Sequence, residues 1–321
     1  MTNRTLVMEF SLMEFSNTRE LRVLHTFLFL LIYLETLVGN LLIITVVTLN
    51  QALHTPMYFF LKNLSFLDAC FISTTVPNFI LNSLSHRSII SLPGCVLQVL
   101  LMIHFAGSEL FILTAMSYDR YVAICHPLRY EVIMNWAVCV QMAAASWLMG
   151  GIFGALYTAE TFSLSFCGSR HLPHFFCHVP SLLKISCSQT HIIINVSLVL
   201  GLLFGIFCLS CIGFSYICIF NTVLRMPVSQ GWSKAFSTCL PHLIVVSTFF
   251  LTGATAYLKP VPDYPHILDF VASVFYCVVP PSLNPIIYSL RNKEIKEALC
   301  KILWRVYQYR SHVKKSNSIL R

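Results

Sequence analysis

The segment MSYDRYVAICHPLRY, residues 116–130, places an acid and an arginine, Asp119 and Arg120, at the end of a long apolar run. The rest of the segment, after this pair, is basic and contains a proline. Charged side chains are costly inside a bilayer, so this pair indicates the point where membrane meets water. If the apolar runs on both sides cross a membrane, the segment connects a buried region to a soluble partner.

The composition is that of an integral membrane protein. The chain has 321 residues, of which 56% are hydrophobic and 11% charged, and its mean hydropathy is +0.73. These values exclude an ordinary soluble protein. A hydrocarbon core about 30 Å thick needs about 20 mostly apolar residues per helix. Windows of this kind cover residues 27–49, 57–82, 96–118, 137–159, 193–222, 237–258 and 268–290.

These windows predict an all-α membrane protein with a seven-helix bundle, residues 27–290. We expect a polar extracellular tail over residues 1–26 and a cytoplasmic tail over residues 291–321. The C-terminal tail carries nine Lys and Arg residues against two acids, and positive charge marks the cytoplasmic side. Its apolar residues recur at helical spacing, which predicts a short amphipathic helix on the inner membrane surface. Such charge indicates contact with membrane lipid rather than with nucleic acid.

The expected extracellular side carries modification and disulfide signals. Asn3 begins an Asn-Arg-Thr motif, which is an acceptor for glycosylation. An even number of cysteines in an oxidising space predicts two disulfides, although the residues alone allow three pairings. The four cysteines on this side are Cys95, Cys167, Cys177 and Cys187. A metal site is the competing interpretation of this loop, because three histidines lie among them, His171, His174 and His178.

Two carboxylates, Asp68 and Glu109, lie inside the second and third windows. If they face each other, their repulsion must be relieved by protonation or by a bound cation. A hard cation such as sodium suits an oxygen-rich site, which Asn40 and Asn284 could complete. The alternative is a pair of protonated acids that hydrogen-bond to amides. Glu35, in the first window, is interpreted as a neutral acid with a local hydrogen bond.

Small residues indicate where helices approach closely. Gly39 stands beside Asn40 in the first window, a combination that allows close packing and a hydrogen bond across helices. The fourth window contains several glycines, among them Gly150 and Gly154. We interpret these positions as packing surfaces rather than as sites.

Four segments of the chain, taken together, resemble the odorant (olfactory) receptors, which are rhodopsin-like G-protein-coupled receptors. The resemblance covers nearly the whole chain, from Gly39 to Asn292. The segments are LHTPMYFFLKNLSFLDAC at 53–70, MSYDRYVAICHPLRY at 116–130, KAFSTC at 234–239 and PSLNPIIYSLRN at 281–292.

An enzyme is not expected, because the sequence has no phosphate-binding glycine loop, no HExxH helix and no nucleophile elbow.

The resemblance implies a switch at the cytoplasmic side. Asp119 would hold Arg120 in the resting receptor, and activation would release the arginine to meet a G protein, with Tyr216 and Tyr288 stabilising the open form. The expected partner is the stimulatory olfactory-type G protein, which raises cyclic AMP, in the plasma membrane of the sensory cilia of olfactory neurons. The switch residues are Asp119, Arg120, Tyr121, Tyr216, Asn284, Pro285 and Tyr288.

The resemblance also implies the disulfide pairing and the cation. It pairs Cys95 with Cys177 and Cys167 with Cys187, and it assigns sodium to Asp68 and Glu109. No other cofactor is expected. Several positions depart from the family pattern. Phe250 stands where a tyrosine is common, and His178 replaces the acid that usually follows the loop cysteine. Glu35 and the segment Pro281-Ser282-Leu283 are also less usual in the family.

By the same analogy the ligand lies between the third, fifth, sixth and seventh spans. Its lining is mostly apolar and has no acid at Met102, which argues against an amine ligand and favours small, apolar, volatile molecules. Core packing is the alternative role for each residue. The expected lining residues are Met102, Ile103, Ala106, Gly107, Leu200, Phe204, Phe250, Gly253, Thr255 and Tyr257.

Two alternative functions remain at this point. A receptor of the same type could sense a metabolite outside the olfactory tissue. A seven-span transporter or channel would be expected to show paired repeats and a continuous polar path. The sequence shows neither feature.

Overall fold

The computed structural model describes residues 9–13, 18–85, 88–166, 170–187, 192–225, 231–257, 267–291 and 294–298, with residues 300, 301 and 304. Within these ranges, seven helices are long and apolar enough to cross a membrane. These spans are α1 Arg19–Leu49, α2 Pro56–Ser85, α3 Leu92–Cys125, α5 Trp136–Ser163, α7 Ile192–Leu224, α8 Gly231–Tyr257 and α9 Ile267–Arg291. The shorter elements are β1 Glu9–Leu12, β2 Ile89–Ser91, α4 Tyr130–Ile133, β3 His171–Leu172 and α6 Val179–Lys184.

The seven predicted spans are confirmed, and nearly all of the helices extend beyond the apolar windows. Helix α3, for example, continues through Asp119 and Arg120 to Cys125. Hydropathy detects only the part of a helix that lies in lipid, whereas the backbone hydrogen bonds continue into the polar flanks. The polar tail expected over residues 1–26 overlaps helix α1, because α1 begins at Arg19.

The predicted tail also contains a strand. Strand β1 lies in the middle of a three-stranded sheet, antiparallel to β2 and parallel to β3. Its side chains alternate, and the two that point inward, Phe10 and Leu12, are 1% and 3% exposed. They belong to one buried cluster with Cys95, Val99 and Leu172. The sheet therefore covers the end of the bundle that carries the Cys95–Cys177 disulfide, which we call the disulfide end.

Helix α3 holds the bundle together. It packs against α2, α5, α7 and α8, so it reaches both the second and the sixth spans. Glycines on α5 allow the closest approach: a Cβ added to Gly150 would lie 2.5 Å from the carbonyl oxygen of His104 and 2.7 Å from the amide nitrogen of Ser108. Small residues let helix backbones meet in this way, which agrees with the predicted packing surface.

Helix α1 supports the proline-rich part of α9. Pro285 has no N–H, so the carbonyl of Pro281, four residues earlier, loses its partner within the helix. The Asn40 side chain replaces that partner, donating from Nδ2 to the Pro281 oxygen at 3.0 Å. Gly39 provides the space, since a Cβ there would lie 3.1 Å from the Pro285 ring. The predicted close packing and hydrogen bond across helices at this pair are both present.

Candidate functional site

The Arg120 end of the bundle, opposite the disulfide end, contains a buried carboxylate whose two oxygens are both engaged. Arg120 donates to Asp119 Oδ2 from Nη2 at 2.7 Å and from Nε at 3.1 Å. Tyr130 donates its hydroxyl to Asp119 Oδ1 at 2.7 Å. Asp119 is fully buried, and Arg120 is 18% exposed at its side chain. A charge-assisted contact of this kind is among the stronger hydrogen bonds, so the carboxylate holds both side chains.

Tyr130 was not among the predicted switch residues. It begins the short helix α4, just after the third span, and it is the last residue of the segment at 116–130. Burial, and then the Asp119 carboxylate, raise the pKa of Tyr130 far above its ordinary value. The phenol therefore stays protonated and remains a donor at physiological pH. Its place in that segment was the available signal, but the direction of a loop side chain does not follow from spacing.

Tyr121 lies beside the ion pair without joining it. Its hydroxyl is 3.0 Å from Nε2 of His126, the residue that directly follows α3. Its ring also lies 6.4 Å from that of Phe214 on α7. Tyr121 thus contacts the loop and the fifth span rather than the Asp119 carboxylate.

A buried histidine links three spans near the ion pair. Tyr216 on α7 lies 2.8 Å from His242 Nδ1 on α8, and His242 Nε2 lies 2.9 Å from the Leu113 carbonyl of α3. Because the carbonyl accepts, Nε2 carries the proton and Nδ1 accepts from the tyrosine. Tyr216 was predicted and His242 was missed, although it follows Pro241 three residues after the KAFSTC segment.

Asp68, Glu109 and Asn284 meet in the middle of the bundle. Asn284 Nδ2 lies 3.1 Å and 3.0 Å from the two Asp68 oxygens and 3.3 Å from Glu109 Oε1. Asp68 is fully buried and Glu109 is 3% exposed. Within the described ranges, Asn284 Oδ1 has no hydrogen-bond partner. The three predicted side chains are thus brought together around the Asn284 amide nitrogen, which both carboxylates contact.

Tyr288 and Pro285 lie further along α9. The Tyr288 side chain is 2% exposed, and its hydroxyl has no hydrogen-bond partner in the described part of the chain. Leaving a buried hydroxyl unpaired costs about 1–3 kcal/mol. Pro285 contacts Gly39 of α1, so it contributes to helix geometry rather than to a polar contact.

Part of the expected ligand lining forms a buried apolar cluster near the disulfide end. Met102 lies in this cluster with Phe176 and Tyr276, and Ala106 packs against it. Tyr257 joins from α8, with its ring 5.6 Å from that of Tyr276. These residues come from α3, α8 and α9, which are three of the four spans expected around a ligand, and from the loop before α6, which was not expected.

Other expected lining residues lie elsewhere. Gly107 faces α5, where a Cβ would be 3.3 Å from Gly150 Cα, and Leu200 is 51% exposed on α7. Neither position supports a role in the pocket, because α3 packs directly on α5 here and Leu200 points out of the bundle. Thr255 is exposed and donates to Thr252 of its own helix. Ile103 packs against the buried cluster under the sheet.

Two aromatic positions and one glycine complete the expected lining. The Phe204 ring lies 4.3 Å from Phe111 and 4.9 Å from Phe153, so it fills the junction of α3, α5 and α7. Phe250 packs edge-on against Phe249 on α8. Gly253 has no atom within 4 Å of where a Cβ would be, among the residues that are described.

The loop before α6 is fixed to the bundle. Cys177 is disulfide-bonded to Cys95, and its N–H donates to Gln98 Oε1 at 2.8 Å. Cys187 is also disulfide-bonded. Its expected partner Cys167 lies outside the described residues, as does Asn3. No group of three or more His, Cys, Asp or Glu side chains in the described ranges could hold a metal ion.

The expected amphipathic helix is described in part. Residues 294–298 are helical, with Ile295 and Ala298 buried. Tyr58, at the start of α2, donates its hydroxyl to Glu294 at 2.6 Å. This contact fixes the segment against the Arg120 end of the bundle.

Comparison with known proteins agrees with this arrangement. The family model described as "Olfactory receptor" matches residues 29–306. Human olfactory receptor 14A2 is 56% identical over 307 residues, which cover 96% of this chain and 98% of the relative. Human olfactory receptor 14K1 is 56% identical over 306 residues, covering 95% and 98%.

The fold has a counterpart among solved structures. The crystal structure of squid rhodopsin matches with a TM-score of 0.69 at 18% identity, over 90% of this chain and 82% of that one. That likeness supports the seven-helix fold alone, whereas the sequence relatives are receptors rather than enzymes or transporters. The chain therefore belongs to the olfactory receptor family of G-protein-coupled receptors.

Proposed function

We propose that this chain is an odorant receptor that binds small, mostly apolar volatile molecules and activates a stimulatory olfactory-type G protein, raising cyclic AMP. The observation that supports it is the arrangement along α3. Met102 lies in the apolar cluster near one end, and Arg120 lies in the ion pair near the other. At 1.5 Å per residue the two positions are about 27 Å apart, nearly the thickness of a hydrocarbon core.

The receptor would sit in the plasma membrane of sensory cilia with its disulfide end outside. Disulfides persist in oxidising compartments, and the basic tail after α9 favours the cytoplasmic side. This orientation places the apolar cluster within reach of external ligands. It also places Arg120 and Tyr130 where a G protein can bind.

The apolar cluster supports the proposed ligand class. Met102, Phe176 and Tyr276 would bury a ligand's apolar surface, at roughly 25 cal/mol per Å². No acid lies at Met102 to pair with an amine. A volatile molecule with little charge therefore fits this end of the bundle better than a charged transmitter does.

Activation would exchange the hydrogen bonds of the resting form. In the proposed scheme, Arg120 leaves Asp119, and Tyr216 and Tyr288 stabilise the displaced arginine and the opened helices. The unpaired Tyr288 hydroxyl supports this, since an open form that gave it a partner would recover free energy. A ligand drives the change only by binding the open form more tightly.

A sodium ion would fit among Asp68, Glu109 and Asn284. The residues offer two buried carboxylates that meet at the Asn284 side chain, and hard cations prefer oxygen ligands. The ion would relieve the repulsion between the two acids. Asp68→Asn and Glu109→Gln should then change the sodium dependence of basal signalling. Unaltered sodium dependence in both variants at normal surface expression would favour protonated acids instead.

The test of the proposed function is a cyclic AMP assay in cells. The receptor, with a tag that promotes export, is exposed to a panel of odorants, and Arg120→Ala is compared with Arg129→Ala. Arg129 is an exposed arginine on the same side of the membrane. We expect a response that Arg120→Ala abolishes and Arg129→Ala retains. An odorant response that persists unchanged in Arg120→Ala contradicts the coupling role.

A further inference from the structure

His178 is a buried polar side chain that the switch does not use. It follows Cys177 directly, stands at the N-cap position of α6 without a capping hydrogen bond from its side chain, and is 3% exposed. Neither of its ring nitrogens has a hydrogen-bond partner among the residues the structure describes. Burying a polar group without a partner costs free energy. A binding pocket is one place where such a cost is recovered, because the ligand supplies the partner.

Ser181, three residues after His178, is a second buried polar side chain of this kind. It is 1% exposed, and its hydroxyl oxygen has no partner in the described ranges. His178 is the N-cap residue of α6 and Ser181 is the third residue of that helix, two positions whose side chains lie close together at a helix N-terminus. We therefore treat His178 and Ser181 as one small polar patch.

This patch borders the apolar cluster at the disulfide end. The His178 ring lies 5.3 Å from the ring of Tyr257 and 5.8 Å from that of Phe176. Phe176 belongs to the same cluster as Met102 and Tyr276. A ligand bound against the apolar cluster would therefore have His178 within reach of its polar atom.

The position of His178 is fixed by its neighbours. Cys177 is held to α3 by the disulfide to Cys95 and by the Gln98 side chain, which also donates to the Thr74 carbonyl of α2 at 2.9 Å. The loop therefore cannot swing aside without breaking these contacts. A rigidly placed donor discriminates between ligands better than a mobile one.

The charge of His178 narrows the ligand class. Burial, and then the neighbouring His174, hold the pKa of His178 well below its ordinary value, so the ring is neutral near pH 7 and offers one N–H donor. A carboxylate would need a positive partner on leaving water. A hydrocarbon would leave the donors unpaired. A carbonyl oxygen has two lone pairs, so it can accept from the His178 N–H and from the Ser181 hydroxyl at once, while the second, unprotonated ring nitrogen of His178 stays without a partner among the described residues.

We propose that His178, supported by Ser181, is the specificity-determining residue of this receptor and selects small apolar molecules that carry a carbonyl group, such as ketones, aldehydes and esters. This assignment rests on the proposed function, because it gives a ligand class to the same pocket. A ligand that accepts a hydrogen bond from His178 should bind about tenfold more weakly when this donor is removed.

The experiment measures thermal stabilisation of the purified receptor in detergent by hydrocarbons and their matched ketones, for example octane and 2-octanone, with octanoate as the charged member. We expect a larger stabilisation by the ketones, which His178→Phe removes and His178→Gln, which retains a donor, partly keeps. His171→Phe, at an exposed histidine of the same loop, should behave like the wild type. An intact melting transition shows that each variant is folded.

Three results overturn the assignment: equal stabilisation by ketones and hydrocarbons, a ketone preference that survives in His178→Phe, and no stabilisation by any pair. Binding in detergent does not require a G protein. A receptor with the expected ketone preference but no cyclic AMP response would therefore support the role of His178 while contradicting the proposed signalling.

Discussion

Replacing Gly150 with alanine should force α3 and α5 apart at their closest contact. The new Cβ would lie 2.5 Å from the carbonyl oxygen of His104 and 2.7 Å from the amide nitrogen of Ser108, and it would also meet the Ser108 hydroxyl. Two of these contacts are backbone atoms, which cannot rotate away. Ordinary contact begins at 3.4 Å, so the helices must separate by roughly 0.9 Å if they stay rigid.

The size of the effect follows from two opposing terms. Overpacking of this kind costs about 1–3 kcal/mol, while alanine favours a helix over glycine by about 1 kcal/mol. Gly205 on α7 has nothing within 4 Å of its Cβ position among the described residues. Gly205→Ala should therefore be neutral or stabilising, and Gly150→Ala should lie about 1–3 kcal/mol below it.

Thermal unfolding of the detergent-solubilised receptor measures this difference. With an unfolding entropy of about 2.1 cal/mol/K per residue, one kcal/mol corresponds to about 1.5 °C in Tm for a chain of 321 residues, so Gly150→Ala should melt about 2–5 °C below Gly205→Ala. Its surface expression should fall in parallel. Equal melting temperatures for the two variants would refute the close approach of α3 and α5 on which the estimate depends.

Three further outcomes are expected. Tyr130→Phe removes the hydroxyl that Asp119 accepts and should raise basal cyclic AMP several-fold relative to Tyr118→Phe, an exposed control; unchanged basal signalling would count against the bond. Asn40→Ala leaves the Pro281 carbonyl unpaired and should cost about 1–3 kcal/mol in a melting assay, whereas Thr45→Ala, at a hydroxyl bonded within its own helix, should cost less; equal losses would contradict this. Folding lowers the pKa of His178, so below about pH 6.5 the unfolded chain binds a proton that the folded receptor does not. The free energy of unfolding should therefore be constant above about pH 6.5 and fall below it. A dependence of Tm on pH that is the same in His178→Gln would contradict this.

The hydropathy of the sequence predicted the seven spans because lipid requires long apolar helices whatever their packing. The positions of Asp68 and Glu109 in adjacent spans made a shared site possible, because two buried acids that meet must relieve their repulsion, but the sequence did not show that they face each other. The roles of Gly39 and Asn40 could be predicted from their chemistry. Close packing of two helices needs a small residue such as Gly39, and a carbonyl without a partner in its own helix needs a donor such as the Asn40 amide. In each of these cases the chemistry of the position limits the possible structures.

Other contacts depend on geometry that spacing does not encode. Tyr130 reaches Asp119 only because a short helix turns the loop back toward α3, and His242 meets Tyr216 only through the relative rotation of α7 and α8. Gly107 and Leu200 were expected in the pocket, yet the orientation of α3 turns Gly107 toward α5 and the orientation of α7 turns Leu200 outward. Strand β1 was missed because two apolar residues, Phe10 and Leu12, carry its signal in a polar tail.

The position of β1 in the sheet has a consequence for biosynthesis. It is the middle strand, so both of its edges need partners, and it is made first. Its antiparallel partner begins at Ile89 and its parallel partner at His171, so the sheet cannot close until the first four spans have been synthesised. Until then the strand edges remain open to pairing with other chains. We therefore expect tags or mutations next to Glu9 to lower delivery of the receptor to the surface before they affect signalling.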